Sequence, residues 1–338
     1  MISRIYIEEE ILDHPRTLGI LERFPEAEKI HCRRYSEIFN RKSQNFRLQK
    51  RNPALILASK FGQHVLSAPD GYGMGAEINY YFSHMLNCVY DCRYCFLQGM
   101  FRSAHYVLFV NYEDFAESIS SLVKQHPQDT LHFFSGYDCD SLALDPVTGF
   151  TGFFLPLFRS LPETWLELRT KSTQIRSLLN NEPLDNCVVA FSFSPSRLAG
   201  ALEHRTPSVS KRIEAMKKLQ EYGWLIGLRF DPVIYDTQFR QAYRELFQQV
   251  FSQIDRDKVH SVSLGSFRLP RDYFYTMLGL YPEEILFASP LQERNGTLGY
   301  PHHLEEEMIS FCREELLKFI QPSQFYPCQS INYRLQNN

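Results

Sequence analysis

The sequence of 338 residues is 44% hydrophobic and 22% charged, which is typical of a folded protein and not of a disordered chain. Its formal net charge is −3 at pH 7, so any contact with nucleic acid would need a local basic surface. The N-terminus has acidic residues where a signal peptide has an apolar core, and no stretch approaches 18 uninterrupted apolar residues, so we expect a cytoplasmic protein without a membrane segment.

The first 75 residues form a predicted N-terminal extension that contains a basic segment, Cys32 to Arg51. Seven Lys and Arg residues stand there beside a single acidic residue. Lys and Arg neutralise phosphates, and Tyr35, Phe39 and Phe46 could stack on bases, so a nucleic-acid-binding arm is one interpretation. A solvated helix and loop surface explains the same composition equally well.

A loop with three cysteines follows an apolar and aromatic run that begins near Asn79 and reads as a strand. Cys88, Cys92 and Cys95 have the spacing C-x3-C-x2-C. Structural zinc takes four protein ligands, and a ferredoxin-type [4Fe–4S] cluster takes four cysteines. Three ligands would leave one iron of a cluster open to a small molecule, and no second cysteine pair with zinc spacing is present. The spacing therefore favours a cluster over structural zinc.

The remaining five cysteines are scattered through the chain. They do not form the pattern of a disulfide framework, and they indicate a reducing compartment, which also suits an iron–sulfur cluster.

Strand-like and helix-like segments alternate after the cysteine loop. A short strand-like run at 106–110 precedes a helix that begins near Asn111. Later strand-like runs, which make six with the strand leading into Cys88, occupy 131–135, 165–170, 188–193, 224–230 and 259–265. Predicted helices lie around 153–161, at 172–179, 207–222 and 239–250, and at 304–320. Alternating βα units predict an α/β fold with a parallel sheet, and Thr206 is the expected cap of the helix that begins at Pro207.

The cysteine spacing, with Tyr94 directly before the last cysteine, resembles the signature of radical S-adenosylmethionine (SAM) enzymes. The run CRYCFLQ, followed by the strand at 106–110, resembles more narrowly the spore photoproduct lyase family, and the likeness extends from 5–15 to 299–308. The resemblance implies a partial (β/α)6 barrel. We expect this barrel over 76–270, with the extension 1–75 before it and a C-terminal cap, 271–338, after it.

The resemblance also implies a set of site residues. Cys88, Cys92 and Cys95 would hold a [4Fe–4S] cluster, and SAM would occupy the open iron. Lys171 matches the family lysine that contacts the SAM carboxylate, and a cation on a flexible stem suits that task. Further cofactor contacts are expected from residues near the ends of other strands and from the cysteine loop: Ser192, Ser141 and Tyr94.

In the family reaction an adenosyl radical takes a hydrogen atom from a thymine photoproduct in DNA, and a cysteine after the second strand returns one. Two registers compete here. Without gaps Tyr137 occupies the cysteine position, whereas a shift of two residues aligns Cys139 with the cysteine and Ser141 with the following serine. Cys139, Tyr137 and Tyr94 are the candidate catalytic residues. The family has a second tyrosine directly after the third cluster cysteine, and Phe96 replaces it here.

The resemblance predicts a carbon–carbon lyase with DNA as its partner and an electron donor such as flavodoxin or ferredoxin. Two alternatives remain open. One is a radical SAM enzyme acting on RNA, a peptide or a metabolite. The other is a non-catalytic nucleic-acid-binding protein stabilised by a metal. The sequence does not fix the oligomeric state.

Overall fold

The computed structural model describes residues 2–69 and 72–328, and the last ten residues of the predicted cap lie outside this part. Its strands are Arg4–Glu8 (β1), Glu28–Cys32 (β2), Leu55–Ala58 (β3), Val65–Ser67 (β4), Ile78–Phe82 (β5), Met85–Leu86 (β6), Asp91–Cys92 (β7), Tyr106–Phe109 (β8), Leu131–Ser135 (β9), Thr164–Thr170 (β10), Cys187–Ser192 (β11), Glu203–His204 (β12), Leu225–Val233 (β13), Val259–Ser266 (β14), Arg268–Pro270 (β15), Gln292–Arg294 (β16), Thr297–Gly299 (β17) and Phe325–Pro327 (β18).

The α-helices are Pro15–Glu22 (α1), Phe46–Arg51 (α2), Leu97–Met100 (α3), Tyr112–Gln125 (α4), Asp145–Thr148 (α5), Phe150–Arg159 (α6), Arg176–Leu179 (α7), Ser196–Leu202 (α8), Val209–Tyr222 (α9), Phe239–Phe251 (α10), Arg271–Leu280 (α11) and His302–Leu316 (α12). Short 3-10 helices occupy Glu9–Ile11, Tyr35–Glu37, Arg256–Lys258, Ile285–Ala288 and Pro322–Gln324. Within the described ranges, no helix combines the length and the apolar character needed to cross a bilayer.

The main sheet has eight strands in the order β18-β14-β13-β11-β10-β9-β5-β4 and curls into a partial barrel. Six of them, β5, β9, β10, β11, β13 and β14, lie side by side in chain order and run parallel. These are the six predicted strands, and the predicted α/β partial barrel is confirmed. Strand β18 extends the parallel sheet, and β4 pairs antiparallel with β5 at the other edge.

A second sheet of five strands has the order β2-β1-β3-β8-β6. Its strand β8 is the predicted run at 106–110, which therefore belongs to this sheet and not to the barrel. Since β6 and β8 come after residue 75, the sheet uses strands from both sides of the predicted extension boundary. The sequence did not reveal the strand order of this sheet, because the residues at 5–7 and 55–58 that form two of its strands are separated by long polar stretches.

Helix ends show where local sequence decides the structure. Helix α9 begins at Val209 and is capped by the Ser208 hydroxyl, which accepts a hydrogen bond from the Lys211 backbone N–H. The expected cap, Thr206, instead donates its hydroxyl to the Glu203 carbonyl, so that prediction was wrong by two residues. Gly223 ends the helix in the left-handed region, with φ of 112°, as its sequence position indicates.

A buried ion pair joins two strands of the barrel across β11. Glu167 on β10 accepts hydrogen bonds from Arg229 on β13 at 2.9 and 3.1 Å, and the exposure of both side chains is 1%. Burial alone would raise the pKa of Glu167, but the Arg229 guanidinium, followed by that of Arg169, lowers this pKa to about 2. The pair therefore links β10 to β13 through a carboxylate that stays ionised.

Replacing Glu167 by Gln should lower the free energy of unfolding at pH 7 by about 3 kcal/mol, because a buried guanidinium loses its ionised partner. The pKa of Glu167 in the folded state lies below the unfolded value of about 4.3, so this contribution is complete above about pH 5 and is lost as the pH falls towards about 2. Urea denaturation at a series of pH values should show that the difference in free energy of unfolding between wild type and variant becomes smaller as the pH falls. Exposed Glu182→Gln is the control, and a pH-independent difference for Glu167→Gln would contradict the assignment.

Candidate active site

A cavity of about 220 Å³ opens at the mouth of the partial barrel. Its walls come from the carboxyl ends of β9, β10, β11, β13 and β14 and from the cysteine loop, which is where α/β barrels collect their functional residues. Gly136 begins the wall after β9 with φ of 82°, and a Cβ there would lie 2.5 Å from the Ser141 hydroxyl. The chain can therefore make this close turn only with glycine.

All three cysteines of the loop line this cavity, and all are free thiols. Burial raises the pKa of Cys88 to about 12 and also raises the pKa of Cys92 and Cys95. The cations of Lys50 and Lys171 oppose this rise, so the surroundings favour anionic sulfur more than burial alone would. Among the described residues, no three His, Cys, Asp or Glu side chains are grouped around the position of a single metal ion.

The cysteine loop is anchored to the fold on several sides. Asn87, in the left-handed region at φ of 69°, donates its side-chain amide to the carbonyls of Ser103 and His105 at 2.7 and 2.8 Å. Lys50, from α2, donates to the carbonyls of Cys88 and Tyr90. These bonds satisfy backbone groups of an irregular loop and hold the thiols in place.

Strand β12 supports the other half of the loop. Glu203 and His204 pair antiparallel with Cys92 and Asp91, and the Arg93 backbone N–H donates to Leu202 at 2.7 Å. The Arg93 side chain bonds both Asp91 and Glu284 at 2.8 Å and so ties the loop to the C-terminal part of the chain.

Glu203 is a functional candidate that the sequence did not assign to any chemistry. Its buried carboxylate accepts hydrogen bonds from the Tyr94 hydroxyl, from Ser194 at 3.1 Å and from Arg212, which is itself fully buried. The Arg212 guanidinium also donates to the Ser192 carbonyl at 3.1 Å and to the Thr206 hydroxyl at 2.8 Å. The network therefore fixes the phenol of Tyr94 and the end of β11, both at the cavity. In the sequence, the only hint of this network is an arginine, Arg212, nine residues after Glu203.

Lys171 and Ser192 both line the cavity, as predicted for side chains near the strand ends. The Lys171 ammonium lies 5.6 Å from the centre of the Tyr94 ring. Its backbone N–H donates to the Asp140 carboxylate at 2.6 Å, and the same carboxylate accepts from the Thr170 hydroxyl at 2.7 Å. Asp140 therefore joins the turn after β9 to the turn after β10 and positions the lysine at the mouth.

Of the candidates after β9, Tyr137 and Cys139 line the cavity, whereas Ser141 is not among its lining residues. The Ser141 hydroxyl is buried behind the turn, 2.8 Å from the Ser135 hydroxyl. The Tyr137 ring packs against Phe96, with ring centres 5.4 Å apart. Cys139 is 6% exposed, and burial raises the pKa of its thiol well above the usual range. Both registers therefore place a side chain with an O–H or S–H group at the cavity wall.

The buried arginine of the fifth barrel strand does not pair with its near neighbour in sequence. Arg229 binds Glu167, whereas Asp231 lines the cavity. Nearness in sequence therefore does not decide which of two carboxylates a long side chain reaches.

A partial α/β barrel with three free cysteines at its mouth, beside a lysine and a tyrosine, defines the radical SAM class of enzyme. The family model described as spore photoproduct lyase matches residues 71–274, which is more than half of the chain. The chain belongs to the spore photoproduct lyase family, and the predicted resemblance is confirmed. Membership of an enzyme family favours a lyase over both alternatives left open by the sequence.

Curated relatives support the same family. The chain is 23% identical over 263 residues to spore photoproduct lyase of Bacillus subtilis (strain 168), which covers 77% of this chain and 75% of the relative. It is 22% identical over 290 residues to spore photoproduct lyase of Clostridium acetobutylicum, covering 83% of each chain. Such low identity leaves individual side-chain roles open, as the departure at Phe96 illustrates.

Solved structures show that the fold is shared. A spore photoproduct lyase double mutant with bound AdoMet and dinucleoside spore photoproduct matches with a TM-score of 0.85 at 18% identity, covering 97% of this chain and 98% of that chain. A spore photoproduct lyase complexed with dinucleoside spore photoproduct matches with a TM-score of 0.84 at 17% identity and the same coverage. The fold is thus preserved where fewer than one residue in five is identical.

Replacing Glu203 by Ala should lower the free energy of unfolding by about 3–5 kcal/mol, because Arg212 would stay buried without its carboxylate. Denaturant unfolding of the cluster-free protein measures this loss directly. Glu221→Ala is a matched control on α9, since Glu221 is exposed and lies 3.8 Å from exposed Lys217. Equal effects of the two substitutions would show that the buried network does not stabilise the loop.

Proposed function

We propose that the protein is a radical SAM lyase that reverses a thymine photoproduct in DNA, with a [4Fe–4S] cluster and SAM as cofactors. The observation that carries this proposal is the convergence of Cys88, Cys92 and Cys95 on one cavity at the mouth of the barrel of a spore photoproduct lyase family member. Support for the substrate comes from the relatives, since solved spore photoproduct lyases bind AdoMet and dinucleoside spore photoproduct.

The donor set fits the cofactors. Three cysteine sulfurs would hold three irons of the cluster, and the fourth iron would remain for SAM. When bound, the cluster would supply the one electron needed for reductive cleavage of SAM, which releases methionine and provides the adenosyl radical. Lys171 would bind the methionine carboxylate of SAM, with Ser192 and Tyr94 as further contacts, because these side chains line the same cavity. Ser141 is a weaker candidate for direct contact because its hydroxyl is bonded to Ser135.

The protein must also keep water from the radical and return a hydrogen atom. Aromatic side chains at the cavity, among them Tyr72, Phe96 and Tyr137, give it apolar walls that would exclude water. Cys139 would return the hydrogen atom through its weak S–H bond, and Tyr137 is the alternative donor through its phenol. Tyr94, whose hydroxyl donates to Glu203, is the third catalytic candidate and would take part in a relay.

DNA and an acidic electron carrier, flavodoxin or ferredoxin, are the proposed partners. Six cations of the basic segment are exposed: Arg33, Arg34, Arg41, Lys42, Arg47 and Arg51. Two of the aromatic residues expected to stack on bases are buried, since the exposure of both Phe39 and Phe46 is 4%, so base stacking by them was a wrong prediction. The segment offers cations to phosphates but little aromatic surface.

We also propose three functional regions. They are the N-terminal extension, the barrel core and the C-terminal cap, at 1–75, 76–270 and 271–338.

Reduced wild-type protein should convert dinucleoside spore photoproduct to intact thymine bases in the presence of SAM. Cys92→Ala should abolish this conversion, with a loss of at least about 1000-fold, because the cluster loses one of its three ligands. Chromatography of the bases, together with iron and sulfide analysis, measures both effects. Cys32→Ala is the control, since Cys32 is a buried cysteine on β2. Cleavage of SAM without loss of the photoproduct would contradict the proposed substrate.

The two candidate hydrogen donors can be separated by substitution. If Cys139 returns the hydrogen atom, Cys139→Ala should stop formation of intact thymine and increase 5′-deoxyadenosine, whereas Tyr137→Phe should keep at least about half of the activity because the ring still fills the wall. Product analysis by mass spectrometry after a reaction in deuterated water measures the outcome. The reverse pattern would assign the role to the Tyr137 phenol.

A further inference from the structure

A buried lysine from outside the barrel reaches the cysteine loop. Lys50 lies on α2 in the basic segment, and its exposure is 5%, whereas its cationic neighbours in the segment are exposed. Its ammonium donates to the carbonyl oxygens of Cys88 at 3.1 Å and Tyr90 at 3.2 Å. Among the ion pairs of residues 2–69 and 72–328 none includes Lys50, so the direct partners of its ammonium are these two carbonyl dipoles, with the centre of the Phe46 ring 6.0 Å away.

The position of Lys50 follows from the local sequence. Asn45 caps α2 by accepting a hydrogen bond from the Leu48 backbone N–H at 2.9 Å, and Phe46 anchors the helix in the interior. Lys50 lies one turn after Phe46 and therefore faces the same way, towards the loop. Arg47 and Arg51 lie on the exposed side of the helix.

An isolated buried ammonium is costly, by several kcal/mol, unless negative charge lies nearby. The carboxylate that acts on Lys50 is that of Asp91, which already bonds Arg93. The arrangement would be balanced once the three sulfurs are thiolates around a cluster, whose net charge becomes more negative on reduction. A fixed cation beside the loop would favour the reduced cluster, which is the more negative form, and would therefore raise its reduction potential.

We propose that Lys50 is a positioning residue that holds the Cys88–Tyr90 backbone and raises the reduction potential of the cluster. This inference rests on the proposed function, because it needs the three cysteines to bind a cluster. It differs from the role of Lys171, which lines the cavity and would face SAM. Lys50 is not among the residues lining the cavity and acts from behind the loop.

The test compares the holoproteins of wild type, Lys50→Gln, Lys50→Met and Lys50→Arg. Lys50→Gln keeps a hydrogen-bond donor without charge, Lys50→Met removes both, and Lys50→Arg keeps the charge. Redox titration followed by electron paramagnetic resonance measures the cluster potential, and iron and sulfide analysis measures retention. Arg51→Gln is the matched control, because it removes a charge from the exposed side of the same helix.

We expect Lys50→Gln to bind the cluster but to need a more reducing potential, with at least a tenfold smaller ratio of reduced to oxidised cluster at a fixed potential, equivalent to 59 mV for one electron. Lys50→Arg and Arg51→Gln should stay near wild type. Lower iron retention in Lys50→Met than in Lys50→Gln would support the anchoring role. The proposal is overturned if Lys50→Gln and wild type have the same potential. Failure of wild type to bind any cluster would instead remove the proposed function.

Discussion

Three thiols, which would be anionic as ligands of the proposed cluster, lie buried or half-buried at the mouth of the barrel, and the surrounding structure offers positive charge to them. Burial raises the pKa of every thiol in the loop, while two lysines approach it from different parts of the chain. Lys171 comes from the end of β10 and Lys50 from a helix beside the second sheet. The barrel alone therefore supplies only part of the electrostatic environment, and the N-terminal region supplies the rest.

The loop is irregular, so its backbone needs partners that no continuous helix or sheet provides. Lys50 and the short strand β12 provide them, and they come from distant parts of the chain. The side chains of Asn87 and Arg93, both within the loop, tie it to Ser103, His105 and Glu284. Glu203 has a double role, because its backbone pairs with Cys92 while its carboxylate binds the Tyr94 phenol. Glu203 therefore couples the position of Cys92 to the orientation of the Tyr94 ring.

The sequence predicted the six barrel strands because most are largely apolar runs, as expected for strands buried on both faces, whereas β14 alternates apolar and polar residues. It also predicted the cysteine loop, whose spacing is local information. It did not predict that β8 belongs to the second sheet, because a short apolar run fits either sheet. It did not predict the burial of Phe39, Phe46 and Lys50, because their neighbours in the sequence are mostly charged or polar. Glu203 was missed since its partner Arg212 is contributed by the next helix, and pairing of that kind depends on tertiary structure.

Two departures from the family pattern are in contact in the structure. Phe96 replaces a tyrosine, and in the ungapped register Tyr137 replaces a cysteine, yet their rings pack with centres 5.4 Å apart. Tyr137 also packs on Tyr81 at 4.4 Å, and Tyr72 lies 6.0 Å away. A cysteine in place of Tyr137 would leave a space beside these rings, since interiors are close-packed. In the ungapped register, Phe96 and Tyr137 would therefore be parts of one repacked wall, because their rings are in contact.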